Sequence, residues 1–504
     1  MTPETVGGGE GLPPHVRVAV VGAGFGGLGA AIRLLQSGER DIVVLEKADD
    51  VGGTWRDNTY PGCACDVPSV LYSFSFALKP DWTHSFSRQG EIWDYLRDCV
   101  ERYRLRPYLR FGVELLQATW DEAACRWSIV TSAGELSADV LVAATGPLCE
   151  PRIPELPGLE SFQGTVFHSA RWRHDHDLTG REVAVVGTGA SAIQFVPQIA
   201  QQVRRLTVFQ RTPPWIVPRS DRRLSRLEHA AYRRFPFLQR WVRRAVYAGR
   251  EVVVLSMLHP RIARVQQRIA QTHLRRSVAD PALRAAMTPD YAMGCKRILI
   301  SSDYFPAIQR DNVRLATTAV AEVRPHSVVG ADGAEHPVDT IILGTGFHVT
   351  DQPIADRVTG RGGRLLADHW AGSPKAYDTV TVHGFPNFFL VLGPNSGTGH
   401  TSVVLMAEAE IEHLLAALRH LRATGADALE PTEQAEAAFV REVDRRMSGS
   451  VWTAGGCRSW YLDVTGRNSA LWPGFTTPFR RRLRTLRPGD YRLTVRSQAA
   501  DVPA

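Results

Sequence analysis

Four short apolar runs mark the first half of the chain, at residues 16–21, 42–45, 183–186 and 206–209. Each gives way at once to a glycine or a polar residue. Runs this short, bounded by turn residues, read as buried strands. The first is followed by "FGGLGAAIRLL", whose apolar positions recur at helical spacing. Two later segments, "DVLVAATG" from Asp139 and "DTIILGTG" from Asp339, are strand-like and close on a Thr-Gly turn. Between 220 and 291 the pattern becomes helical. Leu224, Leu227 and Ala231, then Leu238, Trp241 and Ala245, are interleaved with arginines. That spacing predicts amphipathic helices with solvated basic faces.

Glycines join the first strands to the first helices. Gly22-x-Gly24-x-x-Gly27 follows the run 16–21. Its first glycine serves a tight turn, its second lets backbone approach a pyrophosphate, and its third lets the helix pack on the strand. The run 42–45 ends on Glu46, 24 residues after Gly22, where an acid can bind the ribose hydroxyls of an adenosine. The motif returns as Gly187-x-Gly189-x-x-Ala192, and the residue 24 positions after Gly187 is Arg211. A carboxylate there repels a 2′-phosphate, whereas a guanidinium holds one in a bidentate pair. The first fold is therefore expected to take FAD and the second NADPH. Thr188, Ser191 and Thr212 lie in or beside the second set of turns and join Gly187, Gly189 and Arg211 as candidate ligands. An exposed, idle Arg211 is the alternative.

The expected fold is α/β, with two Rossmann-like dinucleotide-binding domains and a helical insertion. The FAD domain is expected over 12–150 and 348–504. The NADPH domain is expected over 151–219 and 292–347, and the insertion over 220–291. A chain of 504 residues holds two to four domains, and 44% hydrophobic with 22% charged residues is an ordinary globular balance. The seven cysteines form no CxxC pair, so neither a zinc site nor a disulfide framework is expected. The N-terminus lacks an apolar core, no run of 18 apolar residues occurs, and a cytoplasmic protein is expected. The net charge of +7 gathers in the arginines of the insertion and fits an attraction to anionic surfaces or cofactors. No nucleic-acid partner is expected.

Three further stretches carry a family resemblance. "FQGTVFHSARWR" reads Phe162-x-Gly164-x-x-x-His168-x-x-x-Trp172. "GGTWRDNTYPGCACD" reads Gly52-Gly53-x-Trp55, then Tyr60-Pro61-Gly62, then Asp66. "MGCKRILISSDYF" contains Lys296-Arg297. With the two glycine motifs, these resemble the class B flavoprotein monooxygenases over nearly the whole chain. Among them they resemble the type I Baeyer–Villiger monooxygenases, and the later motifs the hydroxyacetophenone-type branch. One position departs. Arg173 follows Trp172 where Baeyer–Villiger enzymes usually have Pro or Asp, and a basic residue there is usual in the flavin-containing monooxygenases that oxidise nitrogen and sulfur.

The resemblance implies FAD contacts from Gly53, Thr54, Trp55, Asp66 and Tyr72, with Trp55 and Tyr60 walling the flavin against water. It places Lys296 near the NADPH phosphate, a later FAD turn at 392–402, and a mobile loop at 457–474 with Trp460 over the nicotinamide. It implies NADPH- and O2-dependent conversion of a ketone or aldehyde to an ester or lactone through a C4a-peroxyflavin. An anion of that kind needs a fixed positive charge close by, and arginine keeps its proton. Arg297 is the expected donor and Asp66 its holder. The alternatives are a turn cap for Asp66 and a second phosphate ligand for Arg297. His168 reads either as a structural residue or as a hinge contact, and Trp172 as hinge packing. Cys63, Cys65 and Cys295 read as inert. The rival activities are N- or S-oxygenation and NADPH-dependent flavin reduction. Substrate identity and oligomeric state have no signature in the sequence.

Overall fold

The run 16–21 becomes the strand His15–Val21, paired in parallel with Ile42–Glu46 on one side and Gly134–Ala143 on the other. The computed structural model that shows this describes residues 11–258 and 260–496, so most of the N-terminal segment read above lies outside the described residues. The sheet has eight strands. Its order is Val358–Thr359, Leu115–Asp121, Arg126–Thr131, Gly134–Ala143, His15–Val21, Ile42–Glu46 and Leu109–Phe111, with Phe388–Leu390 also paired to Gly134–Ala143. Leu115–Asp121 and Arg126–Thr131 form an antiparallel hairpin whose second strand pairs antiparallel with Gly134–Ala143. The strands around His15–Val21 are buried on both faces and parallel, which explains their unbroken apolar runs.

The second sheet has five strands, all parallel. Its order is Val313–Ala316, Arg205–Phe209, Glu182–Val186, Thr340–Leu343 and Thr165–His168. Both sheets turn their first helix in the same way. Gly22 and Gly187 have φ of +102° and +106°, and a Cβ on either would stand 2.6 Å from a carbonyl oxygen, of Ala144 and Gly344 respectively. Those carbonyls lie at the ends of the two "ATG"/"GTG" strands, so each turn is locked against the strand beside it. The fold is thus α/β with two dinucleotide-binding sheets.

Four helices, Arg226–Arg234, Pro236–Leu258, Pro260–Ser277 and Pro281–Ala286, lie between the strands Ile216–Val217 and Leu299–Ile300, which pair in parallel. Here the structure corrects the expected orientation. Leu227, Leu238, Trp241 and Ala245 are exposed, whereas Gln239, Arg243 and Glu251 are buried. The inward face buries Val254 and Met257 as well, and carries these polar residues where it docks on backbone. The Arg243 guanidinium donates to the carbonyls of Val70 (2.5 Å) and Ser73 (3.0 Å). Glu251 accepts from the backbone N–H of Thr476 (3.0 Å) and Thr477 (2.7 Å). Among the described residues no helix is long and apolar enough to cross a membrane.

The turn at 392–402 rests on one carboxyl group. Glu410, fully buried in the helix Val403–Thr424, accepts from the Leu392 N–H (2.6 Å) and the Thr379 hydroxyl (2.9 Å). Burial pushes its pKa up to about 8 despite these donors. The unfolded value is ~4.3. Between the two the native state holds a proton that the unfolded chain has lost, so this contribution to stability is full below ~4.3 and is lost as pH rises through the native value. Wild-type thermal stability should therefore fall between weakly acidic and weakly alkaline pH. Glu410→Gln should flatten that slope, because the amide oxygen accepts from Leu392 and the amide nitrogen donates to Thr379. A melting series against pH in which both proteins show the same slope removes Glu410 as its cause.

Candidate active site

The stretch 52–66 leaves the first fold and crosses to the second. Gly53 lies against Gly24 in the glycine turn, and a Cβ on it would stand 3.3 Å from the Gly24 Cα. Thr54 begins a short helix, Thr54–Asp57, and its hydroxyl donates to the Leu148 carbonyl. The Trp55 indole N–H donates to the Tyr72 hydroxyl (3.0 Å), and the two rings meet edge to face at 5.4 Å. Tyr60 turns the other way. Its hydroxyl donates to Gln194 in the helix Ala192–Ile199 of the second fold, and its ring packs on Phe195. Gln194 also bonds both backbone groups of Ala64. Tyr60 thus joins the two folds, whereas Trp55 stays in the first.

That crossing delivers Asp66 to Arg297. The Nε and Nη2 atoms of Arg297 donate to Asp66 Oδ2 at 2.8 and 2.6 Å. The Asp66 carboxylate holds the guanidinium above its ordinary pKa, against the opposing effect of burial. Asp66 makes no helix-capping bond, so the pair, not a cap, is what its side chain does.

Three residues with no motif of their own join this pair. Tyr461, almost fully buried, sets its hydroxyl against the Arg297 guanidinium, and burial pushes the phenol up to about 12. Arg250, on the insertion helix Pro236–Leu258, lies near enough to feel both Asp66 and Arg297; burial pushes it down, and its Nε has no partner. Arg219 approaches from the strand side, with weak bonds to the carbonyls of Cys65 and Phe86 (3.4 Å each) and a buried, unpartnered Nε. Arg297 is thus the guanidinium bonded to Asp66, Arg250 adds a second positive charge nearby, and Arg219 stands between Asp66 and the more strongly felt Asp221. Tyr461 follows the predicted lid residue Trp460 in sequence, and the rings lie 4.2 Å apart; Trp460 itself is 44% exposed.

The loop carrying these rings is covalently tied, which corrects one expectation. Cys295 is not an inert thiol. It forms a disulfide with Cys457 across 162 residues, two positions before Arg297 and four before Tyr461. No local spacing signals such a pair, because its geometry arises only when both segments are in place. Cys63 and Cys65 are free and buried, and burial pushes the Cys63 thiol up to about 12, so neither is a ready nucleophile.

The residues suit the two dinucleotides expected of them. For FAD, Glu46 is buried at the end of its strand, and its carboxylate accepts the Ala23 N–H of the glycine turn at 2.8 Å. Arg56 donates to the other oxygen at 3.0 Å. The carboxylate thus stands beside the turn formed by Gly22, Gly24 and Gly27. For NADPH, Gly187, Thr188, Gly189 and Ser191 lead into the helix Ala192–Ile199. Arg211 and Thr212 follow the strand Arg205–Phe209. Arg211 is exposed, without a salt bridge among the described residues, and close enough to Lys296 to help burial lower its pKa. Two cations from separate segments held together is the arrangement a phosphate neutralises.

The hinge residues are packed. Trp172 lies between Phe167 (5.2 Å) and Phe195 (5.3 Å). His168 accepts the Ala170 N–H, meets Phe347 edge to face, and is held neutral by burial, with a pKa lowered to about 4. Arg173, the departure from the resemblance, is exposed and forms a surface ion pair with Asp175, with no contact to the Asp66–Arg297 pair.

A sequence model of the family described as flavin-binding monooxygenase-like matches residues 15–358. A Streptomyces coelicolor protein named Baeyer-Villiger monooxygenase is 50% identical over 486 residues, which cover 96% of this chain and 94% of that protein. A Pseudomonas aeruginosa protein of the same name is 45% identical over 503 residues, covering 97% and 95%. Among solved structures, an oxidised steroid monooxygenase bound to NADP superposes with a TM-score of 0.84 at 32% identity, covering 95% of this chain and 99% of that one. On the breadth of these matches across both glycine motifs, the chain belongs to the flavin-binding monooxygenase-like family.

Proposed function

We propose that Asp66 and Arg297 carry the oxygen-insertion step of this enzyme, and the ion pair between them is the observation that supports the assignment. The enzyme is an NADPH-dependent flavoprotein monooxygenase that uses FAD and dioxygen for Baeyer–Villiger oxygenation. Its substrate is a ketone or aldehyde and its product an ester or lactone. Bound FAD, reduced by NADPH, supplies the activated oxygen. The protein's own residues must keep a negatively charged oxygen unprotonated beside a carbonyl carbon. Arg297 suits that task because it stays charged and donates in a rigid fork. A lone part-buried guanidinium is costly, and Asp66 offsets its charge while fixing its direction. Tyr461 adds a neutral contact on the same group. Gly22, Gly24, Gly27, Glu46, Gly53, Thr54, Trp55 and Tyr72 would hold FAD. Gly187, Thr188, Gly189, Ser191, Arg211, Thr212 and Lys296 would hold NADPH, with Trp460 at its nicotinamide end. The dependence on NADPH, which the cytoplasm regenerates, supports a cytoplasmic enzyme.

Removing one electrostatic donor from such a site costs on the order of 2.7–4 kcal/mol. Arg297→Ala should therefore form ester at least ~100-fold more slowly. NADPH should still be consumed, with the oxygen released as hydrogen peroxide. Asp66→Ala should give a milder form of this uncoupling, and the double variant should be little worse than Arg297→Ala, since both act through one charge. Ester and peroxide yield per NADPH are the measurements. A wild-type rate of ester formation by Arg297→Ala would end the assignment, and loss of ketone oxidation with retained sulfide oxidation would favour N- or S-oxygenation.

The paired cations Arg211 and Lys296 support selection of NADPH over NADH. A charge-assisted bond to the 2′-phosphate contributes roughly 1.5–3 kcal/mol. Arg211→Ala should raise the KM for NADPH by about 10- to 150-fold and leave NADH nearly unchanged. Equal losses with both cofactors would show that Arg211 does not read the phosphate.

A further inference from the structure

Ten of the sixteen exposed large hydrophobic side chains among the described residues fall between Leu227 and Ile269, inside the helical insertion. They are ordered. On the helix Pro236–Leu258, Leu238, Trp241, Val242, Ala245, Gly249 and Val252 recur at i, i+3, i+4, i+7, i+11 and i+14, and all are exposed. These positions share one face of a helix. Trp241 and Val252 are 64% and 62% exposed, beyond what scattered surface residues require. The following helix, Pro260–Ser277, repeats the spacing with Ile262, Val265 and Ile269, also exposed.

Charge is segregated onto the same segment. Residues 221–277 hold fourteen arginines, no lysine and three acids, a net +11, which leaves −4 on the rest of a chain whose total is +7. Arg240 and Arg244 are exposed beside the apolar stripe, and the Arg244 guanidinium lies 5.8 Å from the Trp241 ring centroid. Arg234 stands likewise 5.3 Å from the Phe235 ring. Long basic side chains flanking an aromatic and aliphatic face are the arrangement that seats a helix in the headgroup region of a bilayer.

We propose that the helical insertion docks the enzyme on an anionic lipid surface, with the outer face of Pro236–Leu258 lying in the interface and its arginines among the headgroups. The chemistry favours this occupant. A second copy would bring +11 against +11. A nucleic acid would take up the arginines and leave Trp241 and Val252 in water. An anionic bilayer satisfies both features at once, each basic residue near the surface adding to the attraction. The inner face of the same helix carries Arg250 and Glu251 toward the site and the later turn, so the docked surface lies about one helix diameter, ~10 Å, from the catalytic side of the insertion.

The test is co-sedimentation of the full-length FAD-loaded protein with phosphatidylglycerol-containing vesicles and with pure phosphatidylcholine vesicles, at low and high salt. Binding should require the anionic lipid and weaken as salt rises. Trp241→Asp and Val252→Asp should each lower partitioning by about 10-fold or more, and Arg240→Glu with Arg244→Glu should act as strongly at low salt. All these positions are exposed and outside the site, so NADPH oxidation in solution should stay at the wild-type rate. Failure of the wild-type protein to bind anionic vesicles overturns the proposal, as does equal binding to both lipids. So does a concentration-dependent dimer that Trp241→Asp abolishes, which makes the stripe an interface between copies. Duplex DNA that binds with loss of Arg240 and Arg244 as its determinant, and without dependence on Trp241, assigns the surface to nucleic acid instead.

Discussion

The pair between Asp66 and Arg297 is the contact on which the rest of this architecture depends. Its members are 231 residues apart and belong to different folds, one to the loop after the first dinucleotide turn, the other to the return segment of the second. Ionic groups in a part-buried setting lose hydration, and they recover it only if the opposing charge is held at hydrogen-bond distance. Holding it there is the work of the interface between the folds. Tyr60, Gln194 and Ala64 link the crossing loop to the helix Ala192–Ile199, and Trp172 packs on Phe195 of the same helix. The disulfide from Cys295 to Cys457 fixes the other side, where the arginine's own segment meets the late loop. The geometry of the Asp66–Arg297 pair is thus a property of the docking of two folds and belongs to neither alone.

The excess of positive charge around Asp66 follows from the same docking. Arg297 has a partner, Arg250 brings charge to the same carboxylate without a close ion pair to it, and Arg219 adds a weaker share because Asp221 draws on it first. A site built this way is electropositive before any ligand arrives. It suits a reaction whose difficult species is an anion, since positive groups already oriented need no rearrangement when that charge develops. The neutral phenol of Tyr461 can turn toward Arg297 without cancelling its charge.

What the sequence makes legible is what local geometry dictates. The glycine turns, the acid-to-base exchange between Glu46 and Arg211, and the buried parallel strands all follow from short-range pattern. Asp66 and Arg297 were readable only as members of a family resemblance, because nothing in their spacing brings two residues so far apart together. Tyr461, Arg250, Arg219 and the Cys295–Cys457 bridge were not readable. Each acquires its role from a neighbour that is remote in sequence, and a lone Tyr, Arg or Cys carries no periodicity. Arg173 shows the reverse case. It is conspicuous in the motif, yet its side chain ends in a surface pair with Asp175.

The insertion shows why helical periodicity alone misjudged orientation. Apolar residues every three or four positions define a face, but they do not say whether that face meets protein. On Pro236–Leu258 the inward side carries Gln239, Arg243 and Glu251 beside Val254 and Met257, because part of the surface it meets offers backbone carbonyls and N–H groups that polar side chains satisfy best. Burying Arg243 is tolerable because two carbonyls receive it, at 2.5 and 3.0 Å. With the inner contacts shared between these polar groups and Val254 and Met257, the stripe from Leu238 to Val252 is left to the outside. A helix that buries Gln239, Arg243 and Glu251 beside Val254 and Met257, and turns an apolar stripe away from its own protein, departs from the usual arrangement. The buried polar groups cost little in folding where hydrogen bonds receive them, as they do at Arg243 and Glu251, and the outer face is left free to meet a surface that the folded chain does not itself provide.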